Sequence, residues 1–210
     1  MWRSLSVSDE LPIGRTSRYP DTGSLRREQL MGQIRVHEFT SLDGVIDNPT
    51  WTMDFGFDPK MGEALGGAMD GCSGILLGRN TYQMFAPAWS ERTAEDDPGA
   101  PFMNDTTKYV VSSSLEKTTW ANSEIIGGYD PAVIQRIKDD NDGDLYVSGS
   151  GTLVRQLLDD GLVDRLHLFV YPCTRGPGPR LFAEQAMPAS YSLVTCERYE
   201  NGVLYLDYRL

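Results

Sequence analysis

Only three cysteines and two histidines occur in the 210 residues, and Cys72, Cys173, Cys196, His37 and His167 are scattered along the chain. No CxxC pair is present, so neither a disulfide framework nor a zinc site of ordinary His/Cys spacing can be assembled, and no metal is expected. Basic residues are scarce too: 19 Lys and Arg against 30 Asp and Glu leave a net charge of −11. That balance argues against nucleic acid as a partner, because neutralising phosphates takes a basic face. A small anionic ligand needs only a few local donors and stays open. No run of about eighteen uncharged apolar residues exists, so no membrane span is expected. The start carries no apolar signal core, and the expected compartment is a reducing cytoplasm.

What is there has the composition of a globular protein, 40% hydrophobic and 23% charged. The length suits one domain of roughly 150–200 residues with a short appendage. Residues 1–30 read as that appendage. They mix five arginines with four acids among Ser, Pro and Gly, and no apolar period runs through them. Such a segment buries too little surface to offset the entropy of ordering, and a flexible tail is expected. The folded domain is expected over 31–210.

From Ile34 onward, short β-rich runs alternate with helical ones. Strands are expected at Ile34–Thr40, Gly74–Leu77, Lys108–Ser112, Glu124–Ile126, Asp144–Ser148, Arg165–Tyr171, Tyr191–Tyr199 and Val203–Tyr208. The last two flank Asn201-Gly202, a pair suited to a tight hairpin turn with positive φ. Helices are expected at Pro59–Met69, Asn80–Phe85, Pro131–Asp139 and Thr152–Asp160. Asp58 and Asp130 precede prolines, a good helix opening, since Asp caps free N–H groups and Pro tolerates the first turn. Interleaved strands and helices predict an α/β sheet covered on both faces, made mixed by the terminal hairpin.

Four segments carry candidate chemistry. In Gly74–Tyr82 a buried strand runs through Gly78 into a helix. Arg79 offers planar donors to a phosphate, and Asn80 and Thr81 open the helix with free N–H groups. In Asp144–Val154 a strand ends at Gly149-Ser150-Gly151-Thr152 and a second helix begins, again an anion-binding arrangement. Val154 stands where a dinucleotide fingerprint has its third glycine, so a standard Rossmann site is not expected. Ser112, Ser113 and Ser114 end another strand and either bind an adenosine ribose or satisfy turn backbone. Asp43-Gly44, after the first strand, is either a plain turn or a place where a flat ring approaches backbone. All four lie at strand ends, where open α/β sheets bind ligands.

These segments resemble the dihydrofolate reductase superfamily. The nearest branch is the stand-alone proteins similar to the reductase (C-terminal) domain of the bifunctional riboflavin-biosynthesis deaminase/reductase. The motifs are SLDGVI (41–46), LLGRNTY (76–82), KYVVSSSL (108–115), LYVSGSGTLVRQLL (145–158), and LVDRLHLFVYP (162–172) with GPGPRLF (176–182). They stand in family order and span nearly all of 31–210. The resemblance implies a three-layer fold with a mixed eight-stranded sheet, a C-terminal antiparallel hairpin and about four helices. It also implies NADPH as cofactor. Gly78, Arg79, Asn80 and Thr81 would hold phosphates, as would Gly149, Ser150, Gly151 and Thr152. Ser112 and Ser113 would flank the adenosine end, and Asp43 and Gly44 would lie near the nicotinamide. A homodimer is a family expectation, supported here by the apolar Leu166–Tyr171 strand and the loop after it.

The departures narrow the reading. No H-x-E with P-C-x-x-C is present, so the bifunctional enzyme is excluded. Dihydrofolate reductases carry an acid on the helix after the first loop; here Asp54, Asp58 and Glu63 fall in that region, and Asp58, Glu63 or bound water is the candidate proton source. Asp58 as a helix cap and Glu63 as a solvated charge are the bland alternatives. Trp51, Phe55 and Phe57 stack on a ring or pack in the core. Arg175 and Arg180 make a phosphate clamp or a rigid turn, and the histidines and cysteines are expected to be structural and buried. The expected function is an NADPH-dependent reductase of a C=N or C=O in a small heterocycle or opened sugar. The closest analogies are 5-amino-6-(5-phosphoribosylamino)uracil reductase, then dihydrofolate reductase. The alternative is a non-catalytic nucleotide-binding protein of the same fold.

Overall fold

The computed structural model describes residues 32–182, 186 and 188–210; the expectation for residues 1–30 lies outside them. Eight strands form one sheet: β1 (Ile34–Ser41), β2 (Cys72–Gly78), β3 (Thr107–Val111), β4 (Ser123–Gly127), β5 (Asp144–Ser148), β6 (Arg165–Tyr171), β7 (Ser192–Arg198) and β8 (Leu204–Arg209). Their spatial order is β4-β3-β2-β5-β1-β6-β8-β7. All neighbours are parallel except β8, which runs antiparallel to both β6 and β7. The central strands read as unbroken apolar runs because both faces are covered. Ile75, Leu76 and Leu77 of β2 are fully buried, as are Leu145 and Val147 of β5.

Five α-helices accompany the sheet: α1 (Pro59–Met69), α2 (Arg79–Trp89), α3 (Ala100–Asp105), α4 (Pro131–Asp140) and α5 (Gly151–Asp159). A 3₁₀ helix spans Pro49–Phe55. The four helices expected from sequence all form. Asp58 caps α1 by accepting from the Lys60 N–H, and Asp130 caps α4 through Ala132 and Val133. Helix α2 runs four residues past its expected end because Pro87 sits inside it without stopping it. Helix α3 and the 3₁₀ helix are additions. Pro98-Gly99 and Pro101 disguise α3 as loop.

One face of the sheet packs Ile34, Val36 and Val147 against Ile134 of α4 and Leu153, Val154 and Leu157 of α5. The other packs Ile75, Leu77 and Tyr146 against Ala68 of α1, Tyr82 and Ala86 of α2, and Met103 of α3. A third cluster, around Trp51, Met61, Phe169, Tyr171 and Tyr199, lies beside α1. Lys108 is a fully buried exception among apolar neighbours. Its ammonium donates to the carbonyls of Met103 and Asn104, at 2.9 and 2.8 Å, and lies 4.5 Å over the Trp120 ring. Those carbonyls are free acceptors at the end of α3, where a cation is favourable.

Two surface expectations change. The Leu166–Tyr171 strand is β6, enclosed between β1 and β8, so it offers no edge to a partner. Among the described residues, β7 ends the sheet and exposes Leu193 and Val194. Cys196 is exposed rather than buried, whereas Cys72 and Cys173 are partly covered. In the hairpin, Gly202 alone takes positive φ, and its N–H donates to the Tyr199 carbonyl.

Candidate active site

A cleft of about 660 Å³ opens over the carboxyl ends of β1, β2 and β5. The two glycine-edged corners meet there. The Gly78 N–H donates to Ser150 Oγ at 2.9 Å, tying the end of β2 to the start of α5. Gly78 itself is in ordinary extended backbone, with φ −75°. A Cβ there would stand in contact with Ser150, 3.4 Å from its Cβ and Oγ. At the second corner Gly149 and Ser150 both take positive φ, 63° and 70°. Ser150 accepts that strained conformation and uses its hydroxyl to hold the facing corner.

This arrangement leaves two helix N-termini open. Neither Gly78 nor Ser150 gives a side-chain cap to its helix, and neither first turn contains an acid. The leading N–H groups of α2 and α5 have no side-chain cap, and a helix N-terminus carries a positive dipole end suited to an anion. Arg79 and Arg155 border the same cleft. Arg79 Nη1 donates to Ser114 Oγ at 2.8 Å, so this cation rests against the serine turn. Gly149 leaves clearance toward Thr81, whose Cγ2 would be 3.7 Å from an added Cβ. A diphosphate fits these donors in kind and in number.

Of the twelve residues expected at a cofactor, Gly78, Arg79, Asn80, Thr81, Gly149, Ser150, Gly151 and Thr152 line this cleft. Ser112 and Ser113 do not. The Ser112 hydroxyl accepts from the N–H groups of Ser114 and Leu115, which is a turn-satisfying role, and Ser113 is exposed. Asp43 and Gly44 also lie outside the lining. The Asp43 carboxylate accepts from Ser41 Oγ at 2.6 Å and from the N–H groups of Arg175 and Gly176 at 3.0 and 2.8 Å. The Ser41 bond, then those two amides, hold the carboxyl down at about 2. Asp43 thus pins the 175–180 turn, and Arg180 reinforces the joint by donating from Nε to the Asp43 carbonyl.

The two candidate acids are elsewhere as well. Asp58 caps α1 through Oδ1 and accepts from the Glu200 N–H through Oδ2. Glu63 borders a separate cavity of about 400 Å³ with Lys60, Arg165 and Glu197. Trp51 and Phe55 pack on Tyr171, and Phe57 points to solvent at 63% exposure. Arg175 lies over the Trp51 ring, so the Gly-Pro-Gly-Pro arginines serve a turn.

Four ionisable groups outside the expected cofactor residues also line the cleft: His37, Glu38, Asp47 and Arg155. Glu38, on β1, is 4% exposed. Its Oε1 is fully shielded and has no hydrogen-bond partner among the described residues. Burial pushes its carboxyl up to about 8, against a weaker pull from Arg155. His37 shares hydrogen bonds with Tyr146 Oη and Ser148 Oγ through Nδ1, and burial holds it neutral, at about 3. Arg155 reaches from α5 and donates to the Arg180 carbonyl at 2.8 Å. The alternation Ile34, Val36, Glu38, Thr40 was the available signal, since a glutamate in a buried row is anomalous.

Residues 33–205 match the family model of the RibD C-terminal domain. A putative riboflavin biosynthesis protein from Shewanella sp. PV-4 superposes with a TM-score of 0.65 at 21% identity, covering 85% of this chain and 98% of that one. The diaminohydroxyphosphoribosylaminopyrimidine deaminase/5-amino-6-(5-phosphoribosylamino)uracil reductase of Thermotoga maritima gives 0.59 at 18% identity; 87% of this chain covers 57% of it. Dihydrofolate reductase from Enterococcus faecalis, complexed with NADP(H), gives 0.57 at 13% identity over 86% of this chain and 97% of that one. At these identities the likeness is one of fold.

Proposed function

This chain belongs to the RibD C-terminal domain family, and on that premise we propose that it is a reductase drawing on NADPH. Its substrate would be a pyrimidine- or pteridine-type heterocycle, or an opened sugar, reduced at a C=N or C=O. One observation carries the reading: two uncapped helix N-termini are tied together by the Gly78–Ser150 hydrogen bond over a single cleft. The N–H groups opening α2 and α5 would hold the diphosphate, with Arg79 beside them. When bound, a reduced nicotinamide supplies hydride to the substrate. The protein positions the reactants and keeps water out, using Phe39, Ile46, Phe85 and Leu153 in the cleft wall. The Thermotoga and Enterococcus proteins support the substrate and cofactor classes by analogy of fold.

Thermal unfolding with and without NADPH tests the first half. At a hundredfold excess over Kd the gain is about 2.7 kcal/mol, and no gain at millimolar NADPH refutes the site. Loss of the reduced-nicotinamide absorbance with dihydrofolate or the ribosylamino-pyrimidine phosphate tests the second half. A non-catalytic nucleotide-binding protein is the second reading, favoured by Asp58 and Glu63 lying away from the cleft. It predicts the thermal gain without oxidation of NADPH. A cytoplasmic location and a homodimer complete the proposal, with the dimer formed through β7 rather than β6.

A further inference from the structure

We propose that Glu38 is the acid of this site: its carboxyl, carried neutral in the cleft floor, protonates the substrate heteroatom as the adjacent carbon is reduced. The inference rests on the reductase reading above and names the group that reading lacks, since neither Asp58 nor Glu63 reaches the cleft.

The argument begins with place. Glu38 lies in β1, the strand next to β5 and its corner, opposite Leu168 of β6, and it lines the cleft. It occupies the buried row of Ile34 and Val36 and yet borders the cleft. A glutamate kept in such a row for structural reasons would be expected to bond its oxygens to nearby donors. The Oε1 of Glu38 is shielded and has no such bond among the described residues. An ionised carboxylate stranded there would cost several kcal/mol, so the neutral form is the one the fold accommodates.

The neighbours agree. Arg155 from α5 and Tyr146 from β5 interact electrostatically with Glu38, and His37, Asp47 and Arg79 line the same cleft. Arg155 commits its guanidinium to the Arg180 carbonyl and Thr152 Oγ1, so it attracts Glu38 without pairing with it. Tyr146 is held un-ionised by burial, and His37 is neutral. Arg79 is likewise engaged, with Ser114, and the Asp47 carboxylate opposes ionisation of a second acid, so no paired counter-charge ionises Glu38 outright. A carboxyl protonated at neutral pH, yet acidic enough to give up its proton, is suited to general acid catalysis.

The step balances. The substrate C=N or C=O π bond opens. Its carbon gains hydride, with both electrons, from the reduced nicotinamide, which is oxidised; its heteroatom gains the proton of the Glu38 carboxyl. Water returns a proton to Glu38 after product leaves.

Glu38→Gln keeps size and neutrality, and three measurements on it and the wild type decide the matter. Carbon-13 NMR of the substrate-free protein should show one glutamate carboxyl, absent in the variant, titrating near pH 8. NADPH should bind both proteins comparably at pH 7, where both side chains are uncharged. With dihydrofolate or the ribosylamino-pyrimidine phosphate as probe, kcat should fall roughly 10²–10⁴-fold, KM should change little, and the loss of wild-type activity above about pH 8 should disappear. Glu38→Asp should recover part of kcat. A carboxyl titrating in the usual range, a variant with wild-type kcat, or a variant that cannot bind NADPH overturns the acid role alone. A wild type that binds NADPH but oxidises none overturns the reductase reading and the acid role together.

Discussion

Ser150 offers the sharpest test of the joint between the corners, because two substitutions there separate two opposing effects. The residue sits at φ 70°, a left-handed conformation that costs a non-glycine residue about 1 kcal/mol. Its hydroxyl accepts the Gly78 N–H at 2.9 Å, a bond worth about 1 kcal/mol net. Ser150→Ala deletes the bond and keeps the strain, so it should lower stability by about 1 kcal/mol. Ser150→Gly deletes both, and the two changes should nearly cancel. The assay is urea unfolding at pH 7, with thermal midpoints as a second readout. About 1 kcal/mol corresponds to roughly 2–4 °C in a domain of this size. An alanine variant as stable as the wild type would show that the hydroxyl does not couple β2 to α5. A glycine variant weaker than the alanine one would show that the left-handed conformation is not a burden.

The remaining expectations are brief. Arg79→Ala should weaken NADPH roughly 10–100-fold and NADH much less if the guanidinium meets the 2′-phosphate; equal losses by titration would remove that role. Glu38 has a native carboxyl raised from 4.5 to about 8, so its contribution to stability is complete below pH 4.5 and disappears as pH rises through 8. At 1.36 kcal/mol per pKa unit that is about 5 kcal/mol across the window. Glu38→Gln should therefore gain on the wild type between pH 5 and 8.5 in urea unfolding, and parallel pH profiles would refute the burial argument. Lys108→Met should destabilise by roughly 2–4 kcal/mol, because two carbonyls at the end of α3 lose their ammonium; denaturant midpoints decide. Sizing chromatography should give a dimer that Val194→Lys converts to monomer, and a wild-type monomer would remove the β7 interface.

The elements were legible to the extent that their physics is local. The parallel strands are recognisable because burial on both faces makes them apolar runs, as in Ile75–Leu77 and Leu145–Val147. Asp58-Pro59 and Asp130-Pro131 announced α1 and α4 because cap and first turn are neighbours in sequence. Helix α3 was hidden behind residues that usually stop helices. At the site, the glycine corners could be read because each is contiguous. The bond joining them spans 72 residues and could not. Asp43 looked like a cofactor neighbour, but its oxygens are occupied by a turn 132 residues away. Glu38 carried a signal of another kind, a charge in phase with a buried row, and no motif includes it.

The 175–180 turn connects features that seem unrelated in the sequence. Asp43 anchors one end of it, and Val45 bridges to Arg180 at the other. Pro179 borders the cleft, and the Arg180 carbonyl holds the guanidinium of Arg155, a cation that pulls on Glu38. The turn is thus an outrigger: insertions or deletions on the rim would swing a positive charge toward or away from the acid while leaving the floor of the cleft untouched.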